Sequence, residues 1–330
     1  MFIWYTTIIM FRTELHIPHS LKKLSLKHPV LLIGSCFSTN IGALLEKYKF
    51  NCLTNPFGTV FNPISINKLL NTSLSESSLP KNGYGINQGL HFHYDLHSQF
   101  SSLEQEKLIK KTNQAVQTTN SQLQTTKWII ISWGTAIVYE NKKTGEVVNN
   151  CHKVPSKNFN KRMLSAEKVV ADFENLLTTL PNDINIILTV SPVRHIKETL
   201  ELNNVSKATL RLAAHELSEK HTNIHYFPSF ELMMDDLRDY RFYKSDMLHP
   251  SEEAIMYIWQ KFTTAFFDDS TQSFIKEWDK IANALNHKPF NPHSDEHQKF
   301  LKKIELSLQN LKYTVDTSKE LQLIHNQILN

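Results

Sequence analysis

Continuous apolar runs bounded by turn residues most constrain how this chain can fold. They cover residues 30–33, 51–54, 128–132, 184–190 and 224–227. A strand buried on both faces, as in a parallel sheet, is apolar throughout rather than alternating. Helical patterns separate these runs at residues 40–49, 166–180 and 206–220. The sequence therefore predicts a three-layer α/β/α fold, with a central parallel sheet of about five strands.

Three other segments differ from this alternating pattern. Residues 73–102, rich in Ser, Asn, Gly and His, are interpreted as a long insertion loop that forms a lid or one wall of a site. Residues 268–330 have a helical pattern, with Phe274, Trp278 and Ile281 on one stripe, and are expected to form a C-terminal helical extension packed on the core. The apolar residues 1–10 are interpreted as a mis-assigned start preceding Met10 or a weak secretion signal. The main domain is then expected to span residues 11–267.

Composition and charge favour an ordinary globular protein. The chain is 41% hydrophobic and 21% charged, and 36 basic against 32 acidic side chains give a formal charge of +4. The basic residues are scattered among acids, so no nucleic-acid partner is expected. No run is long enough for a membrane helix, so no stable membrane insertion is expected. Three cysteines favour a reducing compartment, and we expect a cytoplasmic protein, or an exported one if the start is a signal.

Two small nucleophilic side chains follow the first predicted strand. Gly34, Ser35 and Cys36 stand where that strand would turn into a helix. Ligands of open α/β sheets bind at the carboxyl ends of the strands. A helix N-terminus and a nearby histidine lower a thiol pKa, which favours Cys36 as the nucleophile. Ser35 is the alternative nucleophile, and a third interpretation is that neither reacts.

A second motif, Asp246-Met-Leu-His249-Pro, lies far along the chain. It is typical of a loop that enters a helix at its Pro or at the following Ser. In such a loop Asp246 can bond one imidazole nitrogen of His249 and leave the other free as a general base. Together with Cys36, this pair forms the residue set needed for acyl transfer.

The sequence resembles the SGNH (GDSL-like) hydrolase superfamily, and within it the GSCFA family. The resemblance rests on Gly-Ser-Cys-Phe-Ser near the start and Asp-Met-Leu-His-Pro-Ser near the end, and it covers roughly residues 11–267. It implies a flavodoxin-like fold. It also implies that Cys36 occupies the nucleophile position, His249 that of the base and Asp246 that of the orienting acid.

The same resemblance implies an oxyanion site. The backbone N–H groups of Cys36 and Gly58 are its candidate donors, and Gly134 begins the block that in the superfamily reads Gly-x-Asn. Here Thr135 and Ala136 follow Gly134, so the amide side chain of that block is missing.

Other residues are candidates for lining the same pocket. Asn150 or His152 would replace the missing amide donor, or else belong to a surface turn. Arg194, which follows the fourth strand, would bind an anionic group or the oxyanion, or have a structural role. The cluster of His91, His93, Asp95 and His97 invites a zinc interpretation, but no second ligand pair is clear, so no metal is predicted. No phosphate loop or dinucleotide motif is present, so no cofactor is predicted.

The function expected from these motifs is an acyl-ester hydrolase or acyltransferase, acting on a small-molecule or carbohydrate ester. The competing expectation is a binding module that keeps the cleft but not turnover. The acyl donor and acceptor and the oligomeric state do not follow from the sequence.

Overall fold

The computed structural model of the chain describes residues 12–287, 289–311 and 314–328. The expectation for residues 1–10 lies outside them. The strands are β1 (Val30–Gly34), β2 (Cys52–Thr54), β3 (Tyr84–Asn87), β4 (Leu90–His93), β5 (Trp128–Trp133), β6 (Ile137–Asn141), β7 (Val147–Val148), β8 (Phe159–Met163), β9 (Asn185–Val190) and β10 (Ile224–Tyr226). The helices are α1 (Cys36–Lys47), α2 (Pro63–Leu74), α3 (Gln105–Thr125), α4 (Ala166–Leu177), α5 (Leu200–Lys220), α6 (Ser229–Glu231), α7 (Glu252–Phe266), α8 (Asp269–Asn286), α9 (Asp295–Leu311) and α10 (Ser318–His325).

The central sheet has five parallel strands in the order β2-β1-β5-β9-β10. This is the flavodoxin-like order. The strand after β1 is added on one side of it and the later strands on the other, so the switch point of the sheet lies between β1 and β5. Each predicted apolar run matches one of these strands to within one residue at either end. The prediction of a five-stranded parallel sheet is therefore confirmed.

Helices cover both faces of this sheet because successive strand residues point to opposite sides. Leu31 and Ile129 belong to a core shared with α2, α3, α4 and α5. Val30 and Ile130 belong to a second core shared with α1, α7 and the C-terminal helices. The three central strands β1, β5 and β9 are buried along almost their whole length, which explains their continuous apolar character.

The C-terminal helices pack on this second face of the sheet. Phe274, Trp278 and Ile281 of α8 are buried in the same core as Trp259 of α7, as the predicted stripe required. The Tyr48 ring stacks on Trp259 with centroids 5.6 Å apart. Within the described ranges, no helix is long and apolar enough to cross a membrane.

Residues 73–102, interpreted as an insertion loop, contain regular secondary structure. The segment begins inside α2 and contains the antiparallel hairpin β3-β4. A further antiparallel sheet, β7-β6-β8, follows β5 and was not predicted. Both additions stand near the carboxyl ends of the central strands, because the loop after β4 contacts Gly58 and β6 follows directly on β5.

Candidate active site

The exit of β1 requires glycine. Gly34 has φ +137°, and a Cβ there would lie 2.2 Å from Ser132 O. The Gly34 N–H donates to Asn55 Oδ1 at 2.8 Å, and the Asn55 Nδ2 donates to Thr39 Oγ1 at 2.9 Å. These bonds fix the start of α1 at the carboxyl edge, beside the reversal point of the sheet.

Ser35 is the N-cap of α1, and it is 1% exposed. Its Oγ accepts from the Phe37 N–H at 3.3 Å and lies 2.9 Å from Ser132 Oγ. Its own N–H donates to Ser132 O at 3.0 Å. The hydroxyl of the alternative nucleophile is thus buried in a capping arrangement.

Cys36 is the first residue of α1, and its side chain is half-buried. Burial raises the pKa of its thiol. This is opposite to the lowered pKa expected from the sequence, because desolvation disfavours a thiolate. The backbone N–H of Cys36 itself interacts with the sulfur and lowers the thiol pKa by less than burial raises it, and within the described residues no hydrogen bond joins the sulfur to His249. Reaction at Cys36 therefore requires a base.

Asp246 and His249 form the contact that their spacing predicted. His249 Nδ1 lies 2.7 Å from Asp246 Oδ2, and the Leu248 and His249 N–H groups donate to Asp246 Oδ1 at 2.8 and 3.0 Å. These two backbone bonds and that to the His249 ring lower the pKa of Asp246 to about 2. A charged Asp246 keeps the proton on Nδ1, which leaves Nε2 unprotonated on neutral His249.

The loop that carries this pair is held between β9 and α7. The Arg194 N–H donates to Leu248 O at 3.3 Å, and Ser251 caps α7 as the sequence predicted. His249 lies close enough to His195 to contribute to lowering the pKa of His195. The His195 ring meets the Phe61 ring edge-on, with centroids 5.7 Å apart. Cys36 and His249 thus lie at the same edge of the sheet, but no hydrogen bond joins them.

Lys207 is a buried basic residue that sequence reasoning missed. Its side chain belongs to α5 and is 1% exposed, and Nζ donates to Gly134 O and Ser191 O, each at 2.7 Å. No carboxylate of the described chain pairs with it, and burial lowers its pKa to about 7. A neutral amine has two N–H groups, which these two carbonyls satisfy completely. The detectable signal was the spacing of Lys207 with Asn203, Leu210 and Ala214 on one helix face.

His195 remains uncharged beside this lysine. Burial, and secondly the positive charge of Lys207, lower the pKa of His195 to about 4. The backbone N–H of His195 donates to Asn203 Oδ1 at 3.0 Å, so it is not free to bind a substrate. The ring Nε2 is buried without a hydrogen-bond partner in the described chain.

The backbone N–H groups of Gly58, the expected oxyanion donor, and of the candidate site residues Gly134 and Thr135 already have acceptors. The Gly58 N–H donates to Asn55 O at 2.8 Å, within a turn. The Gly134 and Thr135 N–H groups donate to Phe61 O at 2.7 and 3.1 Å, and Thr135 Oγ1 lies 3.1 Å from Ser206 Oγ. In this conformation none of the three can donate to an oxyanion.

Two other N–H groups at this edge, those of Cys36 and Thr59, donate to no carbonyl of the described chain. The next residue after Thr59, Val60, donates its N–H to Gly34 O at 2.9 Å. This bond holds Thr59 beside the start of α1. Sequence reasoning missed Thr59 because it selected the neighbouring glycine.

Asn150 and His152 have different surroundings. His152 Nε2 lies 2.9 Å from His93 O and 3.1 Å from Leu96 O, and its ring stacks on Phe92, so its polar contacts are structural. Asn150 Oδ1 accepts from the His152 N–H at 2.9 Å. The Asn150 side chain lines a cavity that also borders Thr59.

Arg194 points its guanidinium over Tyr243 at 4.2 Å and Tyr240 at 5.3 Å. It borders a cavity of about 420 Å³ beside the Asp246 loop. Two residues of the cluster that invited a zinc interpretation have other partners. His93 Nε2 contacts Pro80 O, and the Asp95 carboxylate pairs with Lys68 Nζ. No group of three or more candidate ligands in the described residues could hold a metal ion.

Fold and site together define an α/β protein with flavodoxin-like strand order, an Asp–His pair and a cysteine-bearing helix start at its carboxyl edge. The model of the GSCFA family matches residues 29–262, and that of the GSCFA domain protein, C-terminal domain, matches residues 278–330. The chain therefore belongs to the GSCFA family. No curated protein matches it.

Proposed function

We propose that the chain is an acyl-ester hydrolase or acyltransferase of the SGNH type, with Cys36 as nucleophile, His249 as general base and Asp246 as the residue that orients His249. The Asp246–His249 contact at 2.7 Å is the observation that carries the proposal. It fixes the imidazole tautomer and leaves one ring nitrogen free to accept a proton. An acylated carbohydrate is the substrate class that the superfamily resemblance favours.

The reaction begins with transfer of the Cys36 thiol proton to His249 Nε2. The thiolate attacks the ester carbonyl, and the oxyanion accepts hydrogen bonds from the Cys36 and Thr59 N–H groups. Collapse of this intermediate breaks the ester C–O bond, and His249 returns its proton to the leaving alcohol. Water or a second alcohol then attacks the thioester, with His249 again as base, and releases Cys36.

Without substrate, Cys36 has a raised thiol pKa and no hydrogen bond to His249, so its proton is not yet in position for transfer. Catalytic hydrogen bonds are often long without substrate and shorten in the complex. The proposal therefore expects the contact to form when an ester binds. The same two observations favour a second candidate, a module that binds an ester without turning it over.

Turnover of an activated acetyl ester separates the candidates. Cys36→Ala and His249→Ala should abolish turnover, Ser35→Ala should retain it, and Cys52→Ala serves as the control at another half-buried cysteine. Alkylation of Cys36 by iodoacetamide should be slower in His249→Ala than in the natural chain. Undiminished turnover in Cys36→Ala would contradict the assignment, and ester binding without turnover in the natural chain would support the binding module.

A further inference from the structure

A second cavity, of about 440 Å³, borders the candidate active site. Thr59 and Phe61 form part of its wall. Thr59 supplies one of the proposed oxyanion donors, and Phe61 contacts the ring of His195. A substrate held at Cys36 would therefore have part of its structure close to this cavity.

The charged side chains that line the cavity are basic. Lys153 and Lys197 border it, and no Asp or Glu is among its lining residues. Neither lysine forms an ion pair within the described chain, and Lys197 Nζ lies 5.6 Å from the centre of the Tyr139 ring. The nearest acid in sequence, Glu198, is paired with Lys161 and accepts from the Tyr139 hydroxyl at 2.7 Å. The positive charge of the cavity is thus not neutralised by its own walls.

The remaining walls combine aromatic rings with an amide. Phe61, Tyr139 and Phe159 provide apolar surface, and Asn150 contributes its side chain. The Asn150 oxygen is occupied by the His152 N–H, whereas its Nδ2 has no acceptor in the described chain. Two ammonium groups and an amide donor above an apolar wall are suited to a carboxylate or phosphate joined to a short carbon skeleton.

We propose that this cavity binds an anionic group of the substrate, so that the preferred ester carries a carboxylate or phosphate besides its ester bond. The ester part rests on the proposed function, but binding of the anion does not. The anion lies either in the acyl part or in the alcohol part. Esters of both kinds distinguish these two arrangements.

The kinetic test compares three aryl esters: 4-nitrophenyl hemisuccinate, with an anionic acyl part; 4-carboxyphenyl acetate, with an anionic alcohol part; and neutral 4-nitrophenyl butyrate. In the double variant Lys153→Gln/Lys197→Gln we expect KM for one anionic ester to rise about tenfold, and KM for the neutral ester to change less than twofold. Lys157→Gln, an exposed lysine outside the cavity, should change neither. Equal changes for charged and neutral esters would overturn the proposal.

Equilibrium binding tests the cavity without turnover. Calorimetry with succinate and with inorganic phosphate on Cys36→Ala should detect binding that the double lysine substitution weakens about tenfold. Such binding, together with no ester hydrolysis by the natural chain, would support the anion site and contradict the proposed function. Turnover of neutral esters with no binding of either anion would have the opposite meaning.

Discussion

Substitution of Lys207 tests how much its two buried hydrogen bonds and its neutral amine contribute to stability. Lys207→Met keeps the length of the side chain but removes both N–H donors. The carbonyls of Gly134 and Ser191 then lose the donor at 2.7 Å, and neither has another donor in the described chain. Each orphaned buried carbonyl costs about 1–3 kcal/mol. Burying Met instead of an amine offsets part of this cost. Above pH 10.5, where the lysine is neutral in both the folded and the unfolded chain, we therefore expect a loss of about 2–4 kcal/mol in the free energy of unfolding, and a smaller loss at lower pH.

The loss should depend on pH, with a definite sign. The folded-state pKa of Lys207 is about 7, below its ordinary value of 10.5, because the side chain is buried. Between these two values the unfolded chain binds a proton that the folded chain does not. Stability contributed by Lys207 therefore increases with pH in this window, by up to about 1.4 kcal/mol per pH unit.

Urea denaturation at pH 7.5 and 9.5 measures both effects. The difference in unfolding free energy between the natural chain and Lys207→Met should increase by about 2–3 kcal/mol between these pH values. Lys220→Met, an exposed lysine at the end of the same helix, is the matched control and should lack this increase. A difference that is constant with pH would refute the assignment of a neutral Lys207.

Three further outcomes are expected. Ser35→Ala should lower the unfolding free energy by about 1–2 kcal/mol in urea denaturation, because it removes the cap of α1, yet it should retain ester turnover. Asp246→Asn should lower kcat about 10²–10⁴-fold in a steady-state assay, because the amide no longer fixes the His249 tautomer. The pKa of His195 is about 4, so its contribution to stability is lost as pH falls from 6.5 towards 4, and His195→Gln should flatten the pH dependence of urea denaturation in that range.

The central sheet was predictable because burial on both faces leaves one physical signature. Residues 30–33 contain no polar residue, residues 128–132 contain only Ser132 at their last position, and each run matches an observed strand. The hairpin β3-β4 was not predictable in this way. Its strands are mostly part-exposed, and apolar residues alternate with other residues along them instead of forming a continuous run.

The Asp246–His249 contact was predictable because the two residues interact within one loop, whose geometry depends on local sequence. The burial of Ser35 and the raised thiol pKa of Cys36 were not predictable in this way. Ser132, the partner that buries Ser35, lies 97 positions away along the chain. Desolvation of Cys36 likewise depends on distant elements that pack around α1, so the local argument from the helix N-terminus gave the wrong direction for its pKa.

The central claim is that an acyl group passes through Cys36 during turnover. Rapid acid quenching after mixing with 4-nitrophenyl acetate, followed by peptide mass spectrometry, tests it directly. The account predicts one acetyl group on the peptide that contains Cys36, with the label lost in Cys36→Ala and formed more slowly in His249→Ala. Turnover with the acetyl group on Ser35 or Cys151, or with no acetylated peptide at all, would contradict it.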